Sequence, residues 1–189
     1  MVRRRPSTSG VARVGDRETL AELWRTHQAP LLRYLRSRRT PSPDDVASQV
    51  WIDVATSISR FEGDDDDFRR WLFTIAHRRS VDQIRKAVRM SAPHSALAVR
   101  AADHASGADA EREEHDALDR AIALLATLPD DQAEAVMLRV VNDLPTADVA
   151  SVMGISVGNV RVLVHRGLTR LRRKLSVTDS PLATMKRVP

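Results

Sequence analysis

The chain has 189 residues and a mass of 21.1 kDa, which suits one ordinary domain or two small ones. Its 42% of apolar residues and its longest apolar run, Ala121–Ala126, argue against a membrane span of roughly 20 residues, and the lack of cysteine excludes disulfides, thiol nucleophiles and cysteine-bound zinc. The net charge of +5 and the pI of about 10.5 favour a polyanionic partner.

The first 90 residues predict a tail and a group of helices. Residues 1–16 are basic and rich in Ser, Gly and Pro, so we expect a disordered tail. Because no apolar segment follows Arg3–Arg5, we expect a cytoplasmic protein without a signal peptide. Residues 17–90 carry apolar side chains every three to four positions, which predicts helices. Pro30 starts or interrupts the first, and Pro43 lies just before or at the first turn of the next.

A linker and a second group of helices follow. Residues 91–115 are rich in Ala and Ser, and we expect a flexible linker there. Residues 116–175 resume the helical spacing of apolar side chains, Pro129 closes one helix, and residues 176–189 form a C-terminal tail. Because no segment alternates convincingly like a strand, the predicted fold class is all-α, with two small helical domains joined by the linker.

The sharpest local signal lies in residues 146–172 and predicts a helix-turn-helix. Thr146 is placed to cap a short helix, Gly154 supplies a turn whose left-handed backbone favours glycine, and Ser156 is placed to cap the next helix. The small Ala150 lets the two helices cross closely, and the second helix of such a motif enters the major groove of DNA. A plain helical hairpin is the alternative, and the basic character of the second helix favours DNA binding.

Basic residues cluster in two separate parts of the chain. Arg69–Arg89 carries seven of them against one acid, and Arg161–Lys174 carries six and no acid, a pattern that favours phosphate binding over a merely solvated surface. All seven aromatic residues lie within the first 73 positions, where most are expected to fill a core and the others could stack on single-stranded DNA. On the second basic helix, the candidates for base edges or phosphates are Asn159, Arg161, His165 and Arg166.

Three stretches, in this order, resemble the conserved parts of one family. Arg60–Arg79 resembles the segment that binds a promoter's minus-ten element, Leu128–Arg139 the start of the family's fourth region, and Gly154–Arg161 the start of the helix that reads the minus-thirty-five element. Over residues 17–89 and 116–175 the chain therefore resembles an extracytoplasmic-function (ECF) sigma factor. The resemblance implies two helical domains without enzymatic activity or cofactor, which bind core RNA polymerase and promoter DNA and are commonly controlled by an anti-sigma factor.

The resemblance also implies which residues form each interface. The predicted helix over residues 44–59 would dock on the largest catalytic subunit of the polymerase, with contacts at Asp45, Val46, Gln49 and Trp51. The implied minus-ten contacts are Asp64, Asp65, Asp66, Asp67, Phe68, Arg69, Arg70, Arg78 and Arg79. The implied minus-thirty-five contacts are Thr146, Ser156, Asn159, Arg161, His165, Arg166 and Arg170.

The sequence departs from the family pattern at three places. Ser48 and Gln49 stand where the family usually has Gln and Glu, and Val162 and Leu163 stand where it often has Ser and Arg. One loop carries four consecutive aspartates, Asp64–Asp67, and we expect one of them to accept a hydrogen bond from an amino-bearing base. The alternatives are solvated charges and a Mg²⁺ or Ca²⁺ site, but no second acidic cluster supports a metal, so none is predicted.

Two other functions fit parts of the sequence. His77 and Asp82 suggest a hydrolytic pair, but they lie five residues apart on one helix and no serine elbow or phosphate loop accompanies them, so no enzyme is expected. A helix-turn-helix regulator with a sensing or dimerising first domain is the main alternative. The basic aromatic helix of the first part favours the sigma factor, since a simple repressor does not need it.

Overall fold

A computed structural model describes residues 17–90 and 120–178, called here the first half and the second half. Every regular element in these ranges is a helix, so the predicted all-α fold class is confirmed. The predicted tail 1–16, the linker 91–115 and most of the tail 176–189 lie outside the described residues. No single helix in the two halves is long and apolar enough to cross a membrane, although one helix pair bent by 100° reaches the necessary length and composition together.

The first half consists of three long helices. Helix α1 is Arg17–Ser37, α2 is Pro43–Ser57 and α3 is Asp65–Met90, with a 3₁₀ turn at Ile58–Arg60. Helix α2 packs on both α1 and α3, so the three helices enclose one core. The side chains that are fully buried in it include Leu31, Tyr34, Leu35, Val50, Val54, Phe68, Leu72 and Phe73.

Two prolines shape the first half. Helix α1 continues through Pro30, so the expectation that this proline starts or interrupts a helix is wrong. Proline removes one backbone hydrogen bond from the helix. The buried side chains of Leu23, before the proline, and Leu31, after it, pack in the core and offset this loss. Pro43 opens α2 as predicted, because an N–H in the first turn of a helix has no partner within the helix.

The second half is built from shorter helices around its own core. Helix α4 is described for residues 120–125, α5 is Asp130–Val136, α6 is Thr146–Met153 and α7 is Val157–Thr178, and a π-helical turn, Met137–Val141, continues α5. The long α7 packs on α5 and α6, while α3 of the first half lies against α6. The buried apolar side chains include Leu125, Leu128, Val136, Leu138, Leu144, Val149 and Val160.

Helices α6 and α7 form the predicted helix-turn-helix. Gly154 ends α6 with a φ of 66°, a conformation that a Cβ would strain. The Ser156 hydroxyl oxygen accepts a hydrogen bond from the backbone N–H of Asn159 at 3.2 Å, so it caps α7 as predicted. The prediction that Thr146 caps α6 is wrong: the helix begins directly after Pro145, whose fixed φ and extended ψ of 145° already give the geometry of a helix start.

Helices α5 and α7 approach each other closely at Gly167. A Cβ there would lie 2.7 Å from Cγ2 of Val136 and 3.4 Å from the backbone oxygen of Gln132. Because the helices would have to move apart, we expect Gly167→Ala to lower the free energy of unfolding by about 1–3 kcal/mol.

Gly158→Ala is the matched control on the same helix. A Cβ at Gly158 would meet only the Ser156 hydroxyl oxygen, at 4.0 Å, so helix propensity should raise the stability by about 0.5–1 kcal/mol. Urea denaturation followed by circular dichroism measures both variants. Equal stabilisation of both would contradict the close packing of α5 on α7.

Candidate DNA and polymerase interfaces

Helix α7 presents a polar and basic face to solvent. Asn159, Arg161, His165 and Arg166 are all exposed, whereas Val160 on the same helix is fully buried in the second half. Among the described residues neither arginine has an ion pair, so both guanidinium groups are free to donate. A guanidinium can donate two parallel hydrogen bonds to the O6 and N7 atoms of guanine. The four side chains that the sequence nominated for base contacts are therefore all accessible.

Two of the other three residues nominated for the upstream element have hydrogen bonds inside the protein. The Ser156 hydroxyl caps α7, and the guanidinium of Arg170 donates to Oε1 of Gln132 at 3.1 Å. Thr146 is half-buried at the start of α6. A contact from Ser156 or Arg170 to DNA would therefore add to, or compete with, a hydrogen bond inside the protein.

The basic face of α3 is partly neutralised within the first half. Arg79 donates two hydrogen bonds to the Asp53 carboxylate of α2, at 2.5 and 2.6 Å. This hydrogen bonding raises the pKa of Arg79 and keeps it charged. Arg78 is exposed and has no ion pair among the residues that the structure describes. Arg78 is therefore available to bind a phosphate, whereas a phosphate would have to displace the Asp53 carboxylate from Arg79.

Arg69 and Arg70, the other two arginines nominated to hold phosphates, contact the second half. Arg69 donates to the backbone oxygen of Asn142. Arg70 lies 3.4 Å from Oδ1 of Asp148 on α6, and its guanidinium also pairs with Asp67 at 2.7 Å. In this arrangement both guanidinium groups have partners inside the protein, and a phosphate would have to compete with those partners for their N–H donors.

Three of the four consecutive aspartates have a hydrogen bond or an ion pair inside the protein, and the fourth, Asp65, lies near a buried histidine. The backbone N–H of Asp67 donates to Oδ1 of Asp64 at 2.9 Å, which caps the start of α3. Asp65 lies 3.5 Å from Nε2 of the buried His27, and Asp66 pairs with the arginine three residues later. Carboxylates at a helix N-terminus are stabilised by the helix dipole, so the cluster has a structural role of its own. Within the described ranges, no three His, Asp or Glu side chains lie close enough to hold a metal ion.

Phe68, nominated as a minus-ten contact, belongs to the core. Its ring is fully buried and lies 5.2 Å from the ring of His27 and 5.8 Å from the ring of Phe61, between centroids. A ring stacks on a base only if its face is accessible, so the nomination of Phe68 is wrong for this arrangement. The rings of Phe61 and Trp71 are half-buried and stack on each other, with 5.1 Å between their centroids. Both rings border a surface hollow of about 400 Å³. Neither residue was predicted from the sequence as a contact.

The residues nominated for polymerase binding divide between surface and core. Asp45 and Gln49 of α2 are exposed, and Trp51 is half-buried, with its indole N–H donating to Oε1 of Gln28 at 2.6 Å. Val46 is only 1% exposed, so its nomination is wrong in this arrangement. Val46 faces the core because it lies on the buried side of the amphipathic helix.

Trp51 also borders an apolar hollow that sequence reasoning missed. Leu20, Ala21 and Trp24 of α1 line this hollow of about 390 Å³ together with Trp51, and Trp24 is 48% exposed. Trp24 is one of the apolar residues from which helices were predicted over residues 17–90, and no face of the helix was assigned to it. Since one step along a helix turns the side chain by about 100°, the position of Trp24 directly after the buried Leu23 was the signal that it lies off the core.

A buried carboxylate joins the two halves. Glu134 of α5 is 2% exposed, and its Oε1 accepts hydrogen bonds from the Tyr34 hydroxyl at 2.5 Å and from Nδ1 of His77 at 2.7 Å, while Arg38 pairs with Oε2. Because a carboxylate only accepts, Nδ1 carries the proton. Burial, and then the charges of Arg38 and Arg78, lower the pKa of His77 to about 4. His77 is therefore neutral at pH 7, and Arg38 balances the charge of Glu134.

Sequence reasoning missed this cluster, although one signal for it was present. Glu134 is a single acid between Ala133 and Ala135, and the apolar side chains of this helix are buried. An acid inside a buried stretch needs a cation or several hydrogen-bond donors, because the interior penalises an unpaired charge. That requirement predicts a partner but does not identify it.

Comparison with known proteins matches the first half and the second half of the chain to two different family models. Residues 23–90 match the family model of sigma-70 region 2, and residues 118–171 match that of sigma-70 region 4. The chain is 34% identical over 169 residues to the ECF RNA polymerase sigma factor SigD of Mycobacterium tuberculosis, covering 85% of this chain and 79% of that protein. It is 32% identical over 170 residues to the ECF RNA polymerase sigma factor ShbA of Streptomyces griseus, covering 84% and 88%.

Two solved structures share the fold. CnrH, in complex with the cytosolic domain of CnrY, aligns with a TM-score of 0.60 at 23% identity, over 88% of this chain and 92% of that one. The sigma factor RpoE from Bartonella quintana, in complex with the anti-sigma factor NepR, aligns with a TM-score of 0.60 at 23% identity, over 82% of this chain and 98% of that one. At this identity the similarity concerns the fold alone.

A helical half with a basic α3 and a second half with an accessible helix-turn-helix define a two-part promoter-recognition factor. The chain belongs to the ECF RNA polymerase sigma factors, within the sigma-70 family. Sigma factors bind core RNA polymerase and direct it to promoter DNA at the start of transcription, and they are initiation factors rather than enzymes. The prediction of this family and of its function from the sequence is confirmed.

Proposed function

We propose that this chain divides the work of a sigma factor between two domains, residues 17–90 and 116–175, joined by the linker 91–115. The first domain binds core polymerase through α2 and the minus-ten element through α3, and the second reads the minus-thirty-five element through α7. The observation that carries the proposal is the exposed row of donors on α7, with Arg161 and Arg166 free of internal ion pairs among the described residues. The chain acts in the cytoplasm, where core polymerase works, and catalyses no step itself.

On the upstream element, α7 lies in the major groove and its accessible side chains contact base edges. The residues in this role are Asn159, Arg161, His165 and Arg166. The side chains that already have hydrogen bonds inside the protein fix the position of α7 within the helix-turn-helix. They also contact the phosphate backbone of the DNA. The residues in this second role are Ser156 and Arg170. Thr146, half-buried at the start of α6, contacts the DNA backbone without holding the motif.

On the minus-ten element, α3 supplies the phosphate contacts. Arg78 is the available ligand, and Arg69, Arg70 and Arg79 join it when they exchange their internal partners for phosphates. One carboxylate of Asp64–Asp67 accepts a hydrogen bond from an amino-bearing base. The stacked pair of Phe61 and Trp71 offers an apolar wall beside this loop for a base that has left the stack.

On core polymerase, the docking surface is the exposed side of α2 and the neighbouring apolar hollow. Asp45 and Gln49 supply polar contacts, and Trp51 and Trp24 supply apolar area. Aromatic side chains that border a preformed hollow are typical of the residues that dominate the affinity of protein interfaces.

Trp51→Ala is expected to weaken binding to core polymerase by about 2 kcal/mol, because the variant loses a large ring from the docking surface. A titration of labelled chain with core enzyme measures the loss. Gln28→Ala is the matched control, since it removes the hydrogen bond to Trp51 and keeps the ring, and its affinity should change little. If Trp51→Ala instead lowers thermal stability and leaves the affinity unchanged, the side chain only fills the core.

We also propose that an anti-sigma factor controls this chain. The structural relative RpoE was solved with the anti-sigma factor NepR, which supports the proposal by analogy of fold. An anti-sigma factor of this chain should abolish its transcription at a stoichiometric ratio. The same protein should leave transcription with an unrelated sigma factor unchanged.

Run-off transcription tests the proposed function. Core polymerase with this chain should give a defined transcript from a promoter library, whereas core polymerase alone should give none. The chain should also co-elute with core polymerase in gel filtration at low salt. If it binds duplex DNA but neither co-elutes nor supports a transcript, it is a duplex-binding regulator and the proposal is wrong.

A further inference from the structure

The centre of the exposed face of α7 is apolar. Val162 is 43% exposed, whereas Val160 and Gly167 of the same helix are buried. Since each residue turns a helix by about 100°, Val162 points about 140–160° away from these two buried positions. Val162 and Leu163 are the positions at which this helix departs from the family pattern, and the structure separates them, because Leu163 is half-buried and Val162 is at the surface.

The donors nominated for base contacts surround Val162. Residues three and four positions apart on a helix are neighbours, with about 5–6 Å between their Cβ atoms. Asn159 precedes Val162 by three residues, and it is exposed. His165 and Arg166 follow Val162 by three and four residues, and both are exposed. Gly158, four residues before Val162, has no side chain, and the space beside it is open. The valine therefore lies among three hydrogen-bonding groups and is uncovered on the side of the glycine.

The surroundings of Val162 indicate what it contacts. Single exposed apolar side chains are common, so exposure alone indicates no partner. A helix face that presents guanidinium, imidazole and amide donors to base edges also brings its central side chain to those edges. The apolar group that the major groove displays is the C5-methyl of thymine, whereas the other groups there are hydrogen-bond donors and acceptors. A valine methyl group neither donates nor accepts, so it matches the thymine methyl and would leave a polar base edge unpaired.

We propose that Val162 selects a thymine in the minus-thirty-five element by packing its methyl groups against the C5-methyl of that base. The inference rests on the proposed role of α7 in the major groove. Arg166 lies about one turn further along the same face, and base pairs are spaced by about 3.4 Å, so the thymine lies within about two base pairs of the pair that Arg166 contacts. A guanidinium recognises guanine through its two acceptor atoms, so Val162 adds a base that neither Arg161 nor Arg166 specifies.

Replacement of thymine by deoxyuridine tests this contact, because it removes the C5-methyl and keeps every hydrogen-bonding group of the base pair. The element preferred by the holoenzyme, which is core polymerase with this chain, is first selected from a library of duplexes. Each thymine of that element is then replaced in turn, and the affinity of the holoenzyme is measured at a fixed salt concentration. At one thymine the replacement should weaken binding roughly fourfold, the loss expected when one methyl group is no longer buried.

Val162→Ala identifies the protein partner of that methyl group. The holoenzyme with this variant should bind the thymine and deoxyuridine duplexes equally, and the fold should persist because the position is exposed and alanine favours helices. Val157→Ala is the matched control, since it makes the same change at a valine of α7 that is 37% exposed. Val157 lies about 140° around the helix from Val162, so the roughly fourfold preference for thymine should persist in this variant.

Three results would overturn the role of Val162. They are a preference for the thymine methyl that persists in Val162→Ala, an equal loss of this preference in both valine variants, and a selected element whose thymines can all be replaced without loss of affinity. In the last case the valine is solvated or contacts a protein. Failure of the proposed function is distinguishable, because the parent holoenzyme then selects no element from the library.

Discussion

Phe68→Ala is expected to lower the free energy of unfolding by about 3–5 kcal/mol. The Phe68 ring is fully buried and packs against the rings of His27 and Phe61, so its removal leaves a cavity beneath the start of α3. Small domains have only about 5–15 kcal/mol of stability, so this loss is a large share of the total. Urea denaturation followed by circular dichroism measures it, and a variant as stable as the parent chain would contradict the burial of the ring.

Phe68→Leu separates the packing role of this residue from a DNA-binding role. Leucine keeps most of the buried volume but has no aromatic face, so the expected loss of stability is about 1.5 kcal/mol or less. Affinity for a fluorescent single-stranded oligonucleotide that carries the minus-ten element, measured at a fixed salt concentration, should remain that of the parent chain. A marked loss of affinity in a stable Phe68→Leu chain would show that the ring leaves the core and stacks on a base.

The helix-turn-helix was predictable because its signals act within one turn of the chain. Gly154 adopts a left-handed conformation and Ser156 bonds an N–H three residues away, so neither depends on the rest of the fold. The start of α6 lies one residue before the predicted position. Either Pro145 or the adjacent Thr146 could be the residue that precedes the first turn of the helix. Because the φ of Pro145 is fixed, Pro145 takes this position and Thr146 becomes the first helical residue.

Two contact residues carried over from the family resemblance were wrong for a common reason. A family resemblance assigns a role to a residue from its position in a motif. Whether that side chain is at the surface depends on which face of the helix the residue lies on. Val46 precedes Val50 and Val54 at intervals of four residues, and all three are buried. The periodicity already placed Val46 in the core, and the same helical spacing places Phe68 beside Leu72 there.

The contact between the halves was beyond local reasoning. Tyr34 and Glu134 are 100 residues apart in sequence, and nothing near either residue specifies the other. The basic character of Arg69 and Arg70 predicted that they bind oxygen atoms, but a phosphate, a carboxylate and a backbone carbonyl can all accept hydrogen bonds from a guanidinium. The sequence therefore predicted the chemistry of these side chains and not their partners.

Arg161→Ala is expected to weaken binding to the minus-thirty-five element by about 1–3 kcal/mol and to relax the preference at one base pair. The Arg161 side chain is exposed and has no ion pair among the described residues, so its removal should leave the fold unchanged. The measurement is the affinity of the holoenzyme for duplexes carrying each of the four base pairs at each position of the element. Arg166→Ala should show the same behaviour at a neighbouring position.

Arg172→Ala is the matched control, because it removes the same charge from an exposed position further along α7. It should weaken binding to specific and random duplexes alike and reduce the salt dependence of binding by about one phosphate contact. Arg161→Lys completes the set, since lysine keeps the charge but cannot form two parallel bonds to guanine, so affinity for random duplex should persist while base preference falls. If Arg161→Ala and Arg172→Ala lose affinity equally on both kinds of duplex, Arg161 binds phosphate and reads no base.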